Sequence, residues 1–166
     1  MPHADGHMSE HEEKSSTTTN ARRALLLLRA GGSAFAVYAD ECECVTPWAE
    51  PAPLPHAPAS VLGVVSVRGR MRTVLDPARL FDAPGPAQEH SPTLLASLAG
   101  DEQLSLAVET SEPFETNPDA PLSPAPSPLF PVRGTLRHND ETVHLLDPAR
   151  LFDAAMRGTE RRRQRS

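Results

Sequence analysis

Leu75–Ala83 reads LDPARLFDA, and Leu146–Ala154 reads LDPARLFDA again. A nine-residue identity inside 166 residues is far beyond chance and marks an internal repeat. The correspondence spreads outward from the motif. At its shift of 71 (146 − 75), Gly63 falls on Gly134, Val74 on Leu145 and Asp76 on Asp147. Farther upstream, at a shift of 69 (94 − 25), Leu25–Leu28 then Gly31 matches Leu94–Leu98 then Gly100. Each copy runs through an apolar run, a glycine turn, a second apolar run, a polar or proline-rich passage, a hairpin and DPARLF. Two copies with so long a period do not make a solenoid; they predict two small, similar subdomains packed together.

Inside the motif the chemistry is local. Asp76 and Asp147 each precede a proline, and an N-cap carboxylate followed by proline at the first helical position opens a helix. Short helices are expected at Ala78–Phe81 and from Asp147 to about Arg157, with Leu80 or Phe81 plugging the end of a small barrel. Upstream of the first motif, Val61–Val67 and Arg70–Leu75 are strands about the turn Arg68-Gly69, where Gly69 supplies positive φ. Their counterparts are Pro131–Arg137 and Glu141–Leu146 about His138-Asn139-Asp140. Earlier hairpins are read at Ala24–Arg29 with Ala34–Ala39, and at Thr93–Leu98 with Gln103–Glu109. Cys42, Cys44 and Thr46 follow at period two and are expected on one side of an extended segment.

Proline is 18 of 166 residues, which favours short strands and fixed turns over long helices. Pro47–Pro58 holds five prolines around Trp48 and reads as an extended, rigid loop; Ser111–Pro131 is its proline-rich counterpart. Aromatics are 4%, so the core must be built of Leu, Val and Ala. The fold expected from these signals is mainly β: two small, mostly antiparallel barrels that lean on each other. Residues 1–22 are polar and expected to be disordered, residues 23–156 form the domain, and the basic run 157–166 is a solvated, disordered tail.

A net charge of −6 argues against a general nucleic-acid binder. No apolar run reaches bilayer-spanning length, so no membrane insertion is expected, and Leu25–Leu28 is too short for a signal core. Two cysteines make no disulfide framework, and the expected location is cytoplasmic. Neither Cys42-x-Cys44 nor His3, His7 and His11 makes a convincing metal site, and no cofactor is expected. His56, His90, His138 and His144 are scattered without a nucleophile or base at motif spacing, and capping explains Asp76 and Asp147, so no catalytic residue is expected.

The order of signals resembles the CheW-like domain, the adaptor of bacterial chemotaxis arrays. The resemblance covers Ala24 to about Met156. Its most specific part is Ser60–Phe81, SVLGVVSVRGRMRTVLDPARLF, with Arg133-Gly134 and Asp147 matching in the second copy. It implies two SH3-like five-stranded antiparallel β-barrels side by side and no catalysis. It implies a bridge between the cytoplasmic tip of a methyl-accepting chemoreceptor and a CheA-type histidine kinase, with recruitment to receptor clusters. The positions matching receptor contacts are Gly63, Val64, Val67, Arg68 and Cys42. Gly63 would let another backbone approach closely, and Arg68 would pair a carboxylate or carbonyl. No kinase-binding residue is assigned. The stretch Pro113–Pro131 departs from the family in being short and holding seven prolines, and CECVTPW carries small polar residues where aliphatics are commoner. That keeps open an accessory protein that binds receptor but not kinase. A stand-alone SH3-like peptide-binding module is the alternative of another class.

Overall fold

Ten strands and two helices account for the regular structure of the computed structural model, which describes residues 23–80, 91–116, 122–124 and 131–165. In chain order these are β1 (Arg23–Ala30), β2 (Ser33–Tyr38), a 3-10 turn (Ala39–Glu41), β3 (Cys42–Pro47), β4 (Val61–Val67), β5 (Arg70–Leu75) and α1 (Pro77–Leu80). The second half holds β6 (Leu94–Leu98), β7 (Leu104–Val108), β8 (Thr110–Thr116), β9 (Val132–His138), β10 (Glu141–Leu146) and α2 (Pro148–Arg165). Segment 1–22, the histidines within it, Phe81, His90 and the linker between the copies lie outside the described residues.

Two five-stranded sheets form, ordered β8-β1-β2-β10-β9 and β3-β6-β7-β5-β4. The fold is mainly β, as expected, but the copies are not the barrels. Each sheet joins the first hairpin of one copy to the last three strands of the other. The two orders become identical when β1, β2, β8, β9 and β10 are replaced by β6, β7, β3, β4 and β5. The copies meet at four strand pairs, of which β2 with β10 and β5 with β7 run parallel. Every other pair is antiparallel.

The exchange explains the uninterrupted apolar runs. β1 turns Leu25 and Leu27 into the first sheet's own core, and Leu28 and Ala30 into a core shared by both sheets. β2 does the same with Ala34 and Ala36 against Phe35 and Val37. In the second sheet, Leu95 and Ala107 face its own core while Ala96, Leu98, Leu104 and Leu106 join the shared one. Strands buried on both faces lose the polar alternation of a half-exposed strand. Ser97 and Ser105, fully buried cross-strand partners, satisfy each other with a 2.8 Å hydroxyl hydrogen bond.

The repeated motif caps its helices as expected. An Asp76 oxygen accepts from Ala78 N–H at 3.0 Å, and an Asp147 oxygen from Ala149 N–H at 3.2 Å. Leu151 and Ala155 bury the first turns of α2 in the shared core. The helix does not stop near Arg157; its backbone runs through Arg165. Arg, Glu and Gln are good helix formers and no proline follows Pro148, so the charged run continues the helix rather than a disordered tail. β8 is a second departure. Pro113 weakens its strand signal, yet an edge strand tolerates proline, and β8 pairs only with β1.

Candidate functional site

The β4–β5 hairpin closes through Arg68 (φ +50) and Gly69 (φ +80), the paired positive φ values of a tight hairpin turn. Its ladder sets Val67 opposite Arg70, Ser66 opposite Met71 and Val64 opposite Thr73. Period two then sorts the side chains. Val65, Val67 and Val74 enter the second sheet's own core. Val64, Ser66, Met71 and Thr73 share the outer face. Met71 is 61% exposed, the most exposed large hydrophobic residue among the described residues. Arg68 and Arg70 stand exposed at the tip, and neither makes an ion pair among the described residues.

The five residues expected at a contact site separate into different environments. Arg68 is exposed and Val64 half-buried on the outer face. Val67 is 6% exposed and belongs to the core. Gly63 is buried at φ +143, and the backbone that approaches it is the chain's own: a Cβ there would overlap the Ala52 carbonyl oxygen. Ala52 N–H donates to Val64 O at 2.8 Å, and Val64 N–H to Ala52 O at 2.9 Å. The second copy repeats the device at the same shift (63 + 71, 52 + 71): Gly134 has φ +156, and its Cβ would sit 2.6 Å from Ser123 O. Cys42 is on β3, the opposite edge of the sheet from β4, with its side chain against the shared core. The structure therefore does not gather the five into one contact surface.

Nor do Cys42 and Cys44 share a face. The β3–β6 register slips between them, leaving Glu43 as a bulged residue. Cys42 then packs on the shared core and Cys44 on the second sheet's own core with Trp48. Burial is the main reason the Cys42 thiol pKa is pushed up, with Cys44 adding to it, which favours the protonated thiol.

The pseudo-symmetric counterpart of the outer face lies on β9–β10. Adding 71 to Val64, Ser66, Met71 and Thr73 gives Thr135, Arg137, Thr142 and His144. That face is polar and internally bonded. Arg137 donates to Thr142 Oγ1 at 3.2 Å and to Asp140 O at 3.0 Å. At its turn, Arg29 forks onto Glu141 at 2.8 and 2.7 Å, which raises the Arg29 pKa and holds the Glu141 carboxyl low. One fold position thus carries a mixed face of Val64, Ser66, Met71 and Thr73 in one barrel and an internally hydrogen-bonded polar face in the other.

Two arginines invisible as site residues in the sequence organise the surroundings. Arg72, 3% exposed, fills the place that Val143 holds in the other copy (72 + 71). It donates to Leu98 O at 3.0 Å and Leu104 O at 3.3 Å, and pairs with Glu43. Its signal was the polar break in an otherwise apolar position of the repeat. Arg133 forks onto Glu41 at 2.9 and 2.8 Å, which raises its pKa, and lies 5.1 Å over the Tyr38 ring. Arg23 stacks on the same ring at 3.3 Å. These contacts tie the crossing between the sheets to β9. A cavity of about 330 Å³ beside the β6–β7 loop is lined by Glu41, Asp101, Glu102, Gln103 and the start of α2. Among the described residues no group of three His, Cys, Asp or Glu is placed to hold a metal ion, and no helix is long and apolar enough to cross a membrane.

The family model for the CheW-like domain matches residues 24–156. Among solved structures, the chain is similar to the scaffolding protein TtCheW from Thermoanaerobacter tengcongensis, with a TM-score of 0.64 and 14% sequence identity. The match covers 75% of this chain and 83% of that one. At that identity it speaks for the fold. No curated protein matches in sequence.

Proposed function

The chain belongs to the CheW-like domain family, a family of non-catalytic chemotaxis adaptors, and from that premise we propose that it binds the cytoplasmic tip of a methyl-accepting chemoreceptor and links it to a CheA-type histidine kinase. The observation that carries the reading is the β4–β5 hairpin: an exposed Arg68, with no ion pair among the described residues, beside an outer face of Val64, Ser66, Met71 and Thr73 whose counterpart in the other barrel is internally hydrogen-bonded. A guanidinium there can fork onto a carboxylate in a geometry that a lysine cannot reproduce. Gly63 and Val67 serve the site from beneath, by seating the Ala52 passage and the barrel core. Recruitment to receptor clusters follows from this contact.

Titration of a receptor-tip helical hairpin against the wild-type chain and Arg68→Glu tests the reading. Binding in the wild type and its loss in the variant, with an unchanged melting temperature, is the expected result. Equal binding by both would remove Arg68 from the site.

A second reading, an accessory protein that engages the receptor without the kinase, is favoured by the sparse apolar surface of the barrel ends. Among the described residues, only Leu54, Met71, Leu122 and Met156 are large, hydrophobic and exposed. Titrating the kinase regulatory domain separates the two. A peptide-binding module is disfavoured: Trp48 packs against the core and Tyr38 lies between two arginines, leaving neither ring to line an aromatic groove.

A further inference from the structure

We propose that this chain associates head to tail with further copies of itself: the arginine-rich last turns of α2 in one copy dock in the acidic cavity beside the β6–β7 loop of the next. The inference stands apart from the receptor reading and uses neither the β4–β5 hairpin nor a strand edge. Charge leads to it. Residues 157–166 hold five arginines (Arg157, Arg161, Arg162, Arg163 and Arg165) and one acid (Glu160), a net +4 (5 − 1). Residues 1–156 then hold 11 Lys and Arg (16 − 5) and 21 Asp and Glu (22 − 1), a net −10. The macrodipole favours cations at a helix C-terminus, but only within the last turn, and these arginines spread over more than two turns.

The receiving surface is at the other end of the same helix. Glu41, Asp101 and Glu102 line the cavity together with Pro148 and Ala149, and no Lys or Arg is among the lining residues. Glu41 is held by Arg133, whereas Asp101 and Glu102 are exposed and make no ion pair among the described residues. Gln103 also lines the cavity. Its Nε2 donates to Gly100 O, and its buried Oε1 has no hydrogen-bond partner among the described residues, which leaves an acceptor for a donor from outside. A guanidinium brings five N–H donors and a positive charge to such a lining.

Geometry makes the contact intermolecular. α2 runs unbroken from Pro148 to Arg165, and Leu151 and Ala155 fix its first turns in the shared core. Arg161 and Arg165 therefore lie about 18 and about 24 Å along the axis from Ala149. A continuous helix cannot turn back on the cavity at its own start. A donor end and an acceptor end on one copy make a heterologous interface, which builds rings or open chains rather than closed dimers. Other anionic occupants fit less well. After Met156 the run offers no apolar side chain to bury in a lipid surface and no ring to stack on a base. A vesicle or a duplex would also draw the −10 body toward a surface of its own sign, whereas a second copy uses both charges.

Sedimentation velocity of the full chain over a concentration series, at about 0.01 M and about 1 M salt, tests this. Species larger than dimers are expected at low salt and monomers at high salt. Two variants, each melting with the wild type, should be monomeric in both. Truncation after Arg157 removes the arm, and Asp101→Lys with Glu102→Lys closes the cavity; if the lysines lower the melting temperature, Asp101→Asn with Glu102→Gln takes their place. Mixed at low salt, the two variants should form a one-to-one complex and nothing larger, because one donor end and one acceptor end remain between them. A full chain that stays monomeric at low salt overturns the inference, as does self-association that survives in either variant, or a mixture that remains monomeric. Binding of phosphatidylserine–phosphatidylcholine vesicles or of a DNA duplex by a monomeric chain, lost on truncation, assigns the arm to that surface and likewise overturns it. Receptor-tip binding by the truncated chain should match that of the full chain, which keeps the two readings separable.

Discussion

Single side chains divide into those that shape the barrels and those that face outward. Gly63 is of the first kind, since its φ of +143 and the adjacent Ala52 carbonyl leave no room for a Cβ. Gly63→Ala should therefore cost about 3 kcal/mol in urea unfolding, near the upper end for a strained, clashing backbone position. Arg72 is also structural. Removing it orphans two carbonyls and breaks the pair with Glu43, so Arg72→Ala should cost about 3 kcal/mol. Arg72→Val, the other copy's own choice, should cost less. His144 sets a pH dependence. Burial lowers its pKa below the ordinary 6.5. The unfolded chain then takes up the proton first as pH falls, so stability is full above about 6.5 and declines below it. Melting temperatures from pH 7.5 to 5.5 should show the decline, and His144→Thr, the residue of the other copy, should reduce it. At this scale the sequence was legible where the backbone demanded a residue, as at Asp76, Asp147 and Gly69. At Gly63 it showed the need for a close neighbour but not that Ala52 of the same chain supplies one.

At the scale of elements, nine of the ten strands were legible from apolar runs and turn residues, because hairpins are local. β8 was obscured by Pro113, although the repeat offered β3 as its template. The bulge at Glu43 was not legible, since a one-residue slip depends on what β6 presents opposite it. α2 makes a separable prediction. Leu151 and Ala155 are buried, while Met156 and Arg157 are exposed. Leu151→Ala should cost about 3 kcal/mol as a large-to-small core change. Truncation after Arg157 should leave the melting temperature within about 1 °C, because Leu151 and Ala155, which bury α2 in the shared core, lie before the cut.

For the whole molecule, the exchange of hairpins makes the two copies interdependent. Neither half owns a complete sheet: β1 and β2 are flanked by β8 and β10, and β6 and β7 by β3 and β5. Expressed separately, residues 23–85 and 86–157 should each lack the dispersed NMR spectrum of a folded domain. Mixed, they should assemble into a one-to-one complex that melts cooperatively; a stable fold from either half alone would contradict the topology. The sequence by itself determined the repeat, the hairpins, the helix caps and the low-aromatic core, because each is written in residues close together along the chain. Only the tertiary structure decided which copy completes which barrel, that Val67 faces inward and Met71 outward, and that Cys42 lies on the edge strand opposite the one that leads into Arg68. Those outcomes depend on pairing between segments far apart in sequence, which buries both faces of β1, β2, β6 and β7 away from water.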